Sequence, residues 1–297
     1  MGRFLRWVIV AAWVVLVGLL VRQQWSAPPP AQPLTDLGAL QTPASEEWMG
    51  MYHGKQKIGY VHLSVFPQED GYATEEDSLL RLTVLETPQT VRMKVNGRSG
   101  KDYSLQRFSF QLDNGQNRFR AEGERREDGF HLRTTIGTQQ SETTLPVDGP
   151  LFLPASVRRF LANGEMTAGR RYEVKVFDPS MMKEQGIVAT VVREEEVPQT
   201  QGVRAWRIEE EYVGVKSTAW LDAKGRVLRE EGPMGLVLVR EDADEATRRN
   251  WGEQTALDLV ASVSIPVEPP LPAPQDLRRL RLRVGGIELE RVPSDAR

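Results

Sequence analysis

The chain of 297 residues contains no cysteine. That excludes disulfides, zinc–thiolate centres and a cysteine nucleophile within these residues. Histidine is almost as scarce, with only His53, His62 and His131. One sits beside a turn and two lie on expected strands, at spacings that suggest no metal site, so they read as ordinary strand or surface residues. No sign of charge dominates: 38 basic and 41 acidic residues leave a net charge of -3. A general nucleic-acid binder would be basic, so that class is set aside. No serine or threonine stands in a nucleophile-elbow context, and the glycines form no phosphate-binding fingerprint. The adjacent acids Glu75-Glu76 and Glu194-Glu195-Glu196 alternate faces along a strand and read as solvated sheet face. No cofactor and no metal is implied.

What is present is ordinary globular composition, 40% hydrophobic and 27% charged, behind an unusual start. Arg3 and Arg6 precede the uncharged run Trp7 to Val21. A membrane-spanning helix needs about 20 apolar residues and a signal peptide has a shorter apolar core. The run lies between the two, with Phe4 and Leu5 upstream and no small-residue cleavage pattern after it. Trp7 and Trp25 suit the two membrane interfaces. Residues 1–25 are therefore expected to be an uncleaved signal anchor, a transmembrane helix that places the body outside the cytoplasm at the inner membrane. Residues 26–44, with Pro28-Pro29-Pro30, Pro33 and Pro43, read as an extended linker.

Residues 45–250 keep to strand period. Trp48, Gly50 and Tyr52 alternate with Met49, Met51 and His53; Gly54-Lys55-Gln56 supplies a turn; Ile58 to Phe66 returns as a second strand. Leu80, Leu82 and Val84, then Val91, Met93 and Val95, then Phe108, Phe110 and Leu112 continue the pattern. Turns are expected at Thr87-Pro88, Asn96-Gly97, Asp113-Asn114-Gly115, Asp128-Gly129, Ile136-Gly137 and Lys224-Gly225. Val157, Phe160 and Leu161 break this rhythm at helical spacing, predicting a short helix over 154–163. Asp242 to Glu245 resembles a capping box opening a second one, ending near Asn250 or Gly252. Residues 251–297 read as an extended connector and the start of a following strand. The fold class is all-β, predominantly antiparallel: one large curved, half-barrel-like sheet with one or two short helices, preceded by the transmembrane helix.

Two stretches carry a family resemblance. Trp48-x-Gly50-x-Tyr52 with Lys57-Ile58-Gly59-Tyr60-x-His62, and Ala219-Trp220-Leu221-Asp222-x-x-Gly225-Arg226-Val227-Leu228-Arg229 followed by Gly232-Pro233-Met234-Gly235, resemble the β-rich region preceding the catalytic domain of bacterial exported transglutaminase-like proteins. The resemblance implies a non-catalytic accessory domain, with the cysteine enzyme in a downstream catalytic domain of the parent protein and this chain an amino-terminal portion of it. The alternative is a periplasmic carrier or binding module that holds a lipid or lipoprotein chain, or another protein partner, on the curved sheet. Trp48, Tyr52, Tyr60, Trp206 and Trp220 are the candidate ligand or partner surface, with catalytic and metal sites expected to be none. Two other features have bland readings: Met181 and Met182 as a loop packing on the sheet edge, and Arg278 to Arg283 as the charged face of a strand.

Overall fold

Strand-forming residues in strict alternation commit most of the chain to hairpins, and the hairpins join into one sheet. The computed structural model describes residues 30–33, 43–84, 87–162 and 166–248, and the backbone of 257–258. The chain divides into two units, Met1–Ser262 and Val263–Arg297, and every described residue belongs to the first. The Trp7 to Val21 run and the arginines Arg278 to Arg283 lie outside the described residues.

The strands are β1 (Gln32–Pro33), β2 (Ser45–His53), β3 (Gln56–Gln68), β4 (Gly71–Val84), β5 (Thr87–Gly100), β6 (Leu105–Asp113), β7 (Arg118–Arg126), β8 (Gly129–Ile136) and β9 (Gln139–Leu145). After helix α1 (Pro154–Ala162) come β10 (Arg171–Asp178), β11 (Lys183–Glu196), β12 (Arg204–Tyr212), β13 (Val215–Leu221), β14 (Val227–Glu231) and β15 (Leu236–Glu241). Helix α2 (Ala243–Thr247) and β16 (Leu257–Asp258) end the described chain. The order across the sheet is β1-β10-β11-β12-β13-β14-β15-β2-β3-β4-β5-β6-β7-β8-β9, with β16 beside β4. From β10 through β15 and β2 through β9 every pairing is antiparallel, as the alternation predicts; the two-residue β1 and β16 add parallel pairs. The sheet is curved. Register shifts at Met51/Tyr52, Arg98/Ser99, Val191/Arg193 and Trp220/Leu221 supply local bends, as an extra residue on one strand increases twist.

Side chains on the inner face form two cores. One joins α1 (Val157, Phe160, Leu161) to β10–β14, with Met49 and Val65 from β2 and β3. The other packs Phe108, Phe110, Phe130 and Leu132 against Phe177 of β10 and the segment Leu151–Leu153. That segment ties the sheet to itself: Leu105 donates to the Leu151 carbonyl at 2.7 Å, and Phe177 donates to the Phe152 carbonyl at 2.8 Å. A nine-residue helix is marginal in water by itself. Burial of Val157 and Leu161, 2% and 0% exposed, is what holds α1 in place, each such side chain contributing about 1.5–3 kcal/mol.

Several expectations are corrected. Asn96-Gly97 is no turn: β5 runs straight through it from Thr87 to Gly100, and Thr87-Pro88 opens that strand. A Cβ on Gly97 would lie 2.4 Å from Leu153 Cδ1, so a side chain there would have to displace Leu153, and glycine is favoured by close packing and not by backbone reversal. Helix α2 stops at Thr247, with the Asp242 side chain accepting from the Glu245 amide at 2.8 Å. The proline-rich linker is not wholly detached, because Gln32–Pro33 pairs with Tyr172 and Glu173.

Candidate ligand-binding site

The predicted aromatic surface does not converge. Strand parity sets Trp206 on the inner face with Ile208, where it packs against the first core. Trp48, Tyr60 and Trp220 alternate with the inward residues Met49, Val61 and Ala219 and therefore face outward. Trp48 stacks on His62 at 3.8 Å and lies 5.9 Å from Tyr60. Trp220 is buried with Val197 and Ala205, its indole donating to Glu195 at 3.1 Å. Tyr52 donates to Glu241, whose carboxylate also takes Lys57 Nζ at 2.6 Å beside α2. These are four separate places in the sheet, and only Trp48 and Tyr60 share one. Met182 packs against the second core while Met181 is exposed. His131 pairs with Asp128 and His62 with Glu46. Among the described residues no group of acids and histidines is placed to hold a metal.

The inner face does hold a cavity of about 300 Å3, between α1 and strands β2, β3, β4, β11, β12, β13, β14 and β15. Its walls are mainly apolar: Met49, Val61, Leu63, Ile187, Val227 and Leu238. Its polar groups are arranged in pairs. Adjacent residues of a helix point about 100° apart, so Arg158 and Arg159 leave α1 in different directions. Arg158 forms a double fork with Glu210 of β12 (2.6 Å) and Glu230 of β14 (2.7 Å). Arg159 reaches Glu47 of β2 at 2.7 Å, and Glu47 also accepts from Arg240 at 2.7 Å and from the Val227 amide at 3.2 Å. Gly225 lets the β13–β14 turn press onto α1. Its φ is +72°, and a Cβ there would lie 2.5 Å from the Arg158 carbonyl oxygen.

Glu76 is different. Register aligns Glu47, Leu63 and Glu76 in a row across β2, β3 and β4, and Glu76 lines the cavity. Among the described residues no side chain or backbone group bonds to its carboxyl. Burial pushes that carboxyl above its ordinary range; nearby Arg158 pulls it down and Glu230 pushes it further up. Glu230 shifts the other way, because its ion pair with Arg158 outweighs its burial. The expectation that Glu75-Glu76 is solvated sheet face holds for the exposed Glu75, whereas Glu76 is half-buried and lines the cavity. The parity rule placed them on opposite faces correctly, but the second face is partly covered by α1.

The arrangement defines a β-barrel-like, predominantly antiparallel shell with a lined interior. No family model matches the chain, and no curated protein matches it. Among solved structures it is similar to the β-barrel-like protein of the domain of unknown function DUF1849 from Brucella abortus. That similarity has a TM-score of 0.50 and 11% identity, covering 68% of this chain and 98% of the other. A DUF1089 family protein from Pseudomonas aeruginosa gives a TM-score of 0.35 and 13% identity, covering 64% and 91%. The first likeness shows the fold.

Proposed function

We propose that this chain is a non-catalytic binding module, active outside the cytoplasm, that holds an apolar ligand in the cavity between α1 and the curved sheet. The cavity carries this reading: its volume is at the low end of small-molecule sites, about 300–1,000 Å3, and apolar side chains from β2, β3, β11, β14 and β15 line it between charged groups that are mostly paired with one another. Catalysis has less support. The chain lacks cysteine, Glu210 and Glu230 are both held by Arg158, and one free carboxyl without a second acting group is a poor reaction centre. The test is binding of the neutral apolar dye N-phenylnaphthylamine. Its fluorescence is expected to rise with the wild-type chain and to stay low with Ala155→Trp, which fills the cavity from α1. Equal enhancement by both chains overturns the proposal.

A second reading is an accessory domain of a transglutaminase-like protein. One observation favours it: the two stretches that carry the resemblance, about 160 residues apart in sequence, fall in one block of the sheet, β13-β14 and β2-β3 with β15 alone between them. Co-purification of the body with a transglutaminase-like catalytic domain, lost on Trp48→Ala, is the outcome expected under that reading.

A further inference from the structure

Three guanidiniums, Arg158, Arg159 and Arg240, meet four carboxylates, Glu47, Glu76, Glu210 and Glu230, around the cavity. Three of those carboxylates are matched. Arg158 spends Nε, Nη1 and Nη2 on Glu210 and Glu230, and Glu47 takes both Arg159 and Arg240. Glu76 is left over, facing the cavity beside Leu63.

An anionic ligand would have to break the Arg158 forks to find a donor, and would add negative charge to an interior that already has one excess. A neutral ligand would leave Glu76 uncompensated in a drier site, where an unpaired charge is costly. A cation satisfies the leftover carboxylate and leaves every existing pair intact. Resting on the reading of the cavity as a ligand site, we propose that its occupant is an amphiphile with one protonated amine on an apolar body. The amine sits at Glu76, and the body lies against Met49, Val61, Leu63, Ile187 and Leu238. The amine N–H groups donate to the Glu76 carboxylate, a charge-assisted contact about twice as strong as a neutral one.

The test titrates the purified full chain, wild type and Glu76→Gln, with octylamine, octanol and octanoate by calorimetry. Glutamine keeps the shape and removes an uncompensated charge, so the variant is expected to fold. Octylamine should bind the wild type about tenfold or more tightly than octanol, tenfold being about 1.4 kcal/mol. Glu76→Gln should abolish that preference and leave octanol unchanged. The proposal is overturned if octanol or octanoate binds the wild type as well as the amine, or if Glu76→Gln keeps the amine preference. If none of the three binds, or if Ala155→Trp binds all three like the wild type, the cavity is not the ligand site and both readings fall.

Discussion

Burial acts on Glu76 and Arg158 with opposite results, because only Arg158 has partners. Glu76 holds its proton more firmly when folded than at its ordinary 4.5. The folded state therefore binds more protons in the interval above 4.5, and stability falls as pH rises through it. Glu47 on β2, Arg158 and Arg159 on α1, Glu210 on β12 and Glu230 on β14 share the cavity with Glu76, and of these Arg158 and Glu230 shift it. Glu76→Gln should raise Tm at about pH 7, by about 2–4 °C if the relief is about 1 kcal/mol. The gain should vanish below about pH 4, where both forms are neutral. Thermal denaturation at the two pH values checks this. Glu230 has the reverse sign: its pairing with Arg158 stabilises above 4.5 and is lost as pH falls. The comparison is therefore between variants at each pH. Arg158→Met strands Glu210 and Glu230 together and should cost about 3–5 kcal/mol in denaturant unfolding, most of it recovered when both acids are also changed to Gln. These residues were only partly legible. Glu47, Glu76 and Glu210 share strand parity with inward apolar neighbours, which is a readable signal. Arg158 and Arg159, beside Val157 and Phe160, look like the wet side of an amphipathic helix. They are buried because α1 has sheet on more than one side.

At the level of elements, alternation exposed nearly every strand, since a half-buried sheet face forces period two. Its failure at Asn96-Gly97 is instructive. That dipeptide favours a tight hairpin when the neighbouring runs can reverse there, yet β4 and β5 pair without interruption from Gly71↔Gly100 to Val84↔Thr87. The demand for glycine comes from Leu153, which belongs to a segment some 56 residues later and leaves no local trace. Gly97→Ala should destabilise by about 1–3 kcal/mol, as overpacking does. Shortening Leu153 to Ala should relieve part of that cost, so a double-mutant cycle in urea should show favourable coupling between the two sites. Additive costs would mean that the contact is not what excludes a side chain. The candidate aromatics show the same limit. Their hydrophobicity was legible, but convergence depends on bulges and parity that composition does not carry.

For the whole molecule, location and the joining of the sheet's two halves are separate questions. Reporter fusions active only outside the cytoplasm should give signal when attached after residue 248, and membrane washing should not release the fusion, if the Trp7 to Val21 run anchors the body. A soluble, shortened body would mean cleavage instead. The join between the two halves of the sheet was illegible in the sequence, because nothing local to Leu236–Glu241 says that it pairs with Trp48 to His53. Across the sheet β10 to β15 come first and β2 to β9 follow. This is simply the chain order cut and rejoined at one place, with the join at β15–β2. A circular permutant that begins at Gly149, with Arg248 linked to Pro43, would set every antiparallel strand from β2 to β15 beside its neighbour in sequence. The entropic toll of the one distant antiparallel pairing would then fall on a short linker. Such a permutant should refold faster than the natural order while keeping the same interior. Where the polypeptide happens to start, and not the architecture it reaches, would then set the pace of assembly.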